Sequence, residues 1–135
     1  MLTLWQMIVD FGMLVLIWMI QLIVYPSFKH HSEESLARWH RIYTFRISLI
    51  VVPLMVAQLL IYTYRSVKVP TIETLSGAAI VVAMWLITFV VFVPLHAKLT
   101  RGLQVDEVCS RLVKFNWVRT ILWSLLFLLS AINWL

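Results

Sequence analysis

Four long apolar runs constrain this chain more than any other feature. They cover about 2–25, 44–64, 74–95 and 115–135, and each holds roughly the 20 mainly apolar residues that cross a bilayer as a helix. In hydrocarbon every backbone N–H and C=O needs an internal partner, so such runs fold as helices. The chain has 135 residues, 62% of them hydrophobic and only 13% charged, which leaves little for a water-soluble core. The expected architecture is one domain over 1–135, all-α, an integral membrane four-helix bundle. The first run lacks a basic lead-in and a small-residue cleavage site, so it reads as a retained helix and not as a signal peptide.

The net charge of +5 sits beside the runs, which argues against nucleic acid as the partner. Lys29, Arg38, Arg41 and Arg46 follow the first run, and Lys98, Arg101, Arg111, Lys114 and Arg119 lie around the third connector. The middle connector has only Arg65 and Lys68. The positive-inside rule then puts connectors one and three in the cytoplasm and both termini outside, as in a bacterial inner membrane protein. Lipid is the first expected partner; a second copy of the chain or another membrane protein is the next. The single Cys109 excludes an intramolecular disulfide.

Breakers divide the chain unevenly. Pro26 is expected to close the first helix and Pro94 to bend or close the third, whereas no Gly or Pro falls between Phe28 and Pro53 or after Gly102. Helices two and four are therefore expected to start near Ser32 and Val105, behind the acidic pairs Glu33–Glu34 and Asp106–Glu107. They would project about 15 to 20 Å into the cytoplasm at 1.5 Å per residue; a hinge at the membrane surface is the alternative. The two starts resemble each other at an offset of 73 positions, as in Arg38/Arg111, Arg41/Lys114 and Arg46/Arg119. Pro26 and Pro94 match at a slightly different offset. A parallel pseudo-repeat of two hairpins would produce this pattern, and so would chance recurrence of basic interfacial turns.

Aromatic residues sort by depth. Trp5, Tyr62, Tyr64 and Trp134 fall at the outer ends and Tyr25, Tyr43 and Trp117 at the inner ends, as interfacial belts do. Trp18, Trp85 and Trp123 fall near mid-bilayer, where they either pack the core or line a pocket for a flat apolar ligand.

Polar residues in apolar helices face the bundle interior, and helical phase groups them. Gln6, Asp10, Gln21 and Tyr25 share a stripe on helix one; His40, Thr44, Met55, Gln58 and Tyr62 share one on helix two. Gly77, Trp85, Thr88 and His96 align on helix three, and Arg119, Trp123, Ser130 and Asn133 on helix four. Depth separates an outer layer of Asp10, Gln58 and Ser130 from an inner layer of Gln21, Tyr25, His40, Tyr43, Arg46, His96, Asn116 and Arg119. Asp10 is either a proton-relay or substrate-anchoring acid or one member of an interhelical hydrogen-bonded network. His40 and His96 are candidates to ligate haem or a metal, or to exchange protons. Arg46 and Arg119 suit an anionic substrate group or a lipid phosphate, or snorkelling to headgroups. His30 and His31 have no ligand spacing after them and read as solvated loop residues. No phosphate loop, dinucleotide fingerprint, Cys-x-x-Cys, His-Glu-x-x-His or nucleophile elbow occurs.

The stretches VYPSF, WHRIYTFRISLIVVPLM, VPLHAKLTRG and LVKFNWVRT resemble a set of small, largely uncharacterised four-helix bacterial membrane proteins, and more distantly the anthrone-oxygenase-like group. The likeness covers most of the chain and implies oxygen chemistry on hydrophobic polycyclic compounds. Its matching residues are His40, Tyr43, Arg46, His96, Asn116 and Arg119; Val24 and Gln58 stand where that set often has a His and an acid. Three functions are compatible with these observations. One is a non-enzymatic membrane subunit that self-associates or docks on a complex. Another is an oxidoreductase-like membrane enzyme acting on a hydrophobic substrate between the helices, with catalytic candidates His40, Tyr43, His96 and Arg119 at the inner mouth and Arg46, Asn116, Arg119, Trp85 and Trp123 as substrate- or lipid-binding candidates. The third is a proton-coupled oligomeric transporter or channel built on Asp10.

Overall fold

The structure, a computed structural model, describes residues 1–132 and 134. It is all-α, with four helices long and apolar enough to cross a membrane: α1 Leu2–His30, α2 Glu33–Lys68, α3 Ile72–Thr100 and α4 Val105–Ile132. Short connectors make the topology up-down-up-down, with α1 beside α2 and α4, and α3 beside the same two. The exterior is apolar all round, with Phe11, Leu22, Phe45, Leu60, Leu86, Val90 and Ile121 each more than half exposed. In water that surface would be a large penalty; in lipid it is what a spanning bundle presents.

Pro26 does not close α1, contrary to expectation. The proline ring lacks an N–H and crowds the carbonyl four residues earlier. Here the chain widens into a π turn over Ile20–Val24, resumes as α-helix at Tyr25–Ser27 and ends in a 3₁₀ turn at Phe28–His30. The same device recurs in α3, where a π turn over Thr88–Phe92 precedes Pro94 and the helix runs on to Thr100. Both π turns end two residues before their proline, an offset of 68 positions between the halves. Each helix therefore accommodates its proline by local widening, and what lies beyond stays helical.

α2 starts on a Ser32 cap and runs 36 residues without a break, through Pro53. At 1.5 Å per residue that is about 54 Å, against about 30 Å of hydrocarbon, so the long helix expected from the missing breakers is present and unhinged. α4 likewise begins at Val105. Connector three turns through Gly102, at φ 68, and Gln104, at φ 51; glycine takes the first of these left-handed positions without steric cost. Thr71 and Thr74 cap α3 reciprocally.

Two apolar clusters form the core. Tyr25, Phe28, Leu36, Phe92, Leu99 and Leu112 fill the end that carries connectors one and three, called here the basic end. Met13, Ile17, Met55, Val81, Met84, Trp123 and Leu126 fill the middle and the other half. α2 has a gap in its burial: Leu36 and His40 are buried, as are Met55, Gln58 and Tyr62, but nothing between them is. That stretch borders a groove.

Candidate functional site

The layer nearer the termini is closed. Asp10 is buried on α1 and its carboxylate accepts from Gln58 Nε2 at 2.7 Å, from the Tyr62 hydroxyl at 2.6 Å and from the Ser130 hydroxyl. Gln6, one turn away, donates to both Tyr62 and Ser130 at 2.9 Å and accepts from Arg65. Arg65 also faces Glu73 at 3.8 Å. Tyr62 reaches Asp10 because Gly77 leaves room for its ring; a Cβ on Gly77 would lie 2.4 Å from Tyr62 Cε1. Tyr62 is thus buried in this network and does not belong to an interfacial belt, as its place on the sequence suggested. Ionised Asp10 can only accept, and three donors from α2 and α4 meet it.

The layer nearer the basic end is different. Tyr25 is buried beside the second π turn residue set, and its hydroxyl shares a hydrogen bond with His96 Nε2 at 3.0 Å. His96 Nδ1 meets His40 Nε2 at 2.8 Å, with the rings stacked at 5.0 Å, and His40 Nδ1 meets the Thr100 hydroxyl at 2.9 Å. Helical phase brings the two histidines together as expected from sequence. Phe28 packs edge-on against both His40 and Tyr43, and Tyr43 packs tilted against His40. Behind them Arg119 is 5% exposed, with its guanidinium 4.1 Å over Phe92 and 5.0 Å from Trp123. The Tyr25 and Tyr43 side chains face it. Among the described residues the ion pairs are Glu34–Arg38, Glu73–Arg65 and Glu107–Arg111, so the buried cation Arg119 has no carboxylate partner. Its Nε also lacks a hydrogen-bond acceptor.

A cavity of about 300 Å³ opens between α2 and α3 above this layer. Tyr25, Tyr43, His96 and Arg119 form its polar floor; Ile47, Val51, Met55, Trp85 and Phe92 form its walls. Val52, Phe89 and Val93 stand exposed at its rim, so it opens sideways toward lipid and not along the bundle axis. Trp85 Nε1 is a second buried N–H without a partner. Unpaired buried donors are rare in proteins and call for an explanation, and here both belong to residues lining one groove.

The other sequence candidates fall elsewhere. Arg46 is exposed on the outer side of α2 and does not join Arg119. Gln21 and Asn116 pair across α1 and α4, Asn116 Nδ2 donating to Gln21 Oε1 at 3.0 Å, away from the groove. Trp123 donates to Gln58 Oε1 at 3.0 Å and lays its ring on Arg119, so it packs between the layers without lining the cavity. Trp18 bonds to Ser124 at 3.1 Å on the exterior. His30 and His31 are exposed, and Asn133 lies outside the described residues.

A metal bridging His40 and His96 does not fit this arrangement. Two Zn–N bonds of about 2.0–2.1 Å around a tetrahedral ion separate the nitrogens well beyond a hydrogen bond, and these nitrogens touch at 2.8 Å. Every ring nitrogen of the pair already has a hydrogen-bond partner, so an axial haem bond would first have to displace one. Among the described residues no cluster of three or more His, Cys, Asp or Glu side chains is assembled around a common point. Thr100 and Phe92 were not singled out from sequence, although both lie four residues from His96 and so on its face of the helix. In comparison with known proteins, no protein-family profile, curated protein or solved structure matches the chain.

Proposed function

We propose that this membrane protein binds a small, flat, apolar molecule carrying an anionic or strongly accepting oxygen, in the lateral groove between α2 and α3. One observation carries the reading: among the described residues two buried N–H donors, Arg119 Nε and Trp85 Nε1, lack acceptors, and both belong to residues that line the same cavity. A buried cation without a counter-charge is costly, and a ligand oxygen lodged on the floor would supply what Arg119 lacks. Aromatic walls and a volume at the small end of ligand pockets favour a compact ring system over a folded chain. Entry from the bilayer suits a ligand dissolved in lipid. This is closest to the membrane-enzyme hypothesis, with Tyr25 joining Tyr43, His96 and Arg119 in the polar floor and His40 lying behind His96, out of the groove. By the positive-inside rule the floor lies toward the cytoplasm and the termini lie outside. The subunit hypothesis draws only on apolar outer faces, which any spanning bundle needs.

The test uses 4-nitro-1-naphthol, a flat phenol whose anion is coloured, with the detergent-solubilised protein. Saturable binding of the coloured anion is expected, abolished both by Arg119→Met and by Ile47→Trp, which fills the groove. Binding that survives both substitutions would sink the proposal.

A further inference from the structure

Beneath the groove, Tyr25, His96, His40 and Thr100 form one hydrogen-bonded chain, with steps of 3.0, 2.8 and 2.9 Å, and Arg119 also hydrogen-bonds to Tyr25 at its groove end. Its first two members line the groove floor. Its last, Thr100, is half-buried and borders a separate hollow at the basic end, between Ala37, Arg38, Arg41 and Ile42. His40 has no exposed surface at all. The chain therefore runs from a lipid-facing cavity, through the protein interior, to a surface lined by two arginines.

Each group in it can both give and accept a proton. With both imidazoles neutral, only two bonding patterns satisfy every ring nitrogen. In one, the Tyr25 hydroxyl donates to His96 Nε2, His96 Nδ1–H donates to His40 Nε2, and His40 Nδ1–H donates to Thr100. In the other, all three bonds are reversed. Passing from the first to the second moves one proton from the groove end to the Thr100 end without charging either ring for long. Gln or Asn at these positions would hold the bonds but could not shuttle, because an amide has no comparable tautomer.

We propose that Tyr25, His96, His40 and Thr100 are a proton relay that exchanges the proton of an ionisable hydroxyl on the groove ligand, a phenol or enol, with water at the basic end. This rests on the groove being a ligand site. The ligand O–H gives its proton to the Tyr25 oxygen as Tyr25 passes its own to His96 Nε2. His96 then gives its Nδ1 proton to His40, and His40 gives its Nδ1 proton to Thr100, whose hydroxyl proton passes to water. The ligand is left as an oxyanion on the Arg119 guanidinium. No electron moves and no co-reactant is needed; the return of the proton runs the same bonds backward. The polar groups around the pair, Tyr25 from α1, Tyr43 and Thr100 from α2 and α3, and Arg119 from α4, are uncharged except for the guanidinium, which favours the oxyanion and not an imidazolium.

The test follows bound 4-nitro-1-naphthol in proteoliposomes by stopped flow after a pH jump on one side. In the wild type its colour should follow pH on the side of the basic end and lag pH on the other. His40→Gln and Thr100→Val, neither of which touches the groove, should slow the response about a hundredfold, the scale of a positioned proton-transfer group, with affinity for the probe unchanged. Thr100→Ser, which keeps the hydroxyl, should respond as the wild type does. An unchanged rate in both His40→Gln and Thr100→Val, with the probe bound, would overturn the relay and leave the binding site standing. Failure of the wild type to bind the probe would overturn the binding site and the relay together.

Discussion

The bundle buries two polar layers, one around an acid and one around a cation, and they are finished differently. Around Asp10 every acceptor and donor has a partner drawn from a neighbouring helix, and Gly77 lets Tyr62 close the ring. Around Arg119 a cation is buried with no acid beside it, two N–H groups lack acceptors, and a cavity adjoins them. A saturated network ties helices together, since breaking any one bond leaves other groups stranded. An unsaturated one leaves free energy to be gained by whatever arrives. The difference is the ground on which we propose a structural role for the first layer and ligand recognition for the second, although both would be described as polar residues inside a membrane.

Substitution at the two centres should separate these roles most clearly. Asp10→Ala strands the Gln58 amide and one of the Tyr62 and Ser130 hydroxyls, the other being able to donate to its neighbour, and should cost about 2–6 kcal/mol, at 1–3 kcal/mol for each unsatisfied buried group. Arg119→Met, which removes an unpaired cation, should cost no more than about 1–2 kcal/mol, the scale of its cation–π contacts, while abolishing probe binding. Thermal unfolding of the two variants in one detergent checks the contrast, and equal losses would erase it.

Gly77→Ala comes next. Its new methyl would meet the Tyr62 ring at 2.4 Å, and overpacking of this kind costs about 1–3 kcal/mol. The melting temperature should fall with the groove untouched; a loss of probe binding would mean that the layers are coupled. Trp123→Phe keeps a ring over Arg119 but removes the N–H donated to Gln58, for about 1 kcal/mol, again read by thermal unfolding.

The smallest expected effect is on proton leak. Trp123 is the link between the layers, and an indole N–H donates but cannot accept, so no proton path joins Asp10 to His96 through it. Liposomes containing the protein should show no more proton flux than empty ones. A flux that disappears in Asp10→Asn would break the division and revive the transporter hypothesis.

Hydropathy and helical period made much of this legible. The four spans, the unbroken α2 and α4, the inward faces of Asp10, Gln58 and Ser130, and the meeting of His40 with His96 all follow from one-dimensional spacing. Pro26 was misread because proline's effect on a helix depends on whether the turn before it can widen, and two π turns show that it can. Each π turn is a local widening of the helix that no residue type within it announces. Arg46 looked equivalent to Arg119, yet one is exposed and the other buried. Charge and position along the chain are alike for both, and only the neighbouring helix distinguishes them.

The sequence by itself determined that this chain forms four apolar helices and which side of each turns inward, because hydropathy and period act within a single segment. Only the tertiary structure decided that one polar layer is saturated while the other opens on a groove and a chain of hydrogen-bonded side chains. Distances between helices, and the partners they leave missing, belong to no single segment.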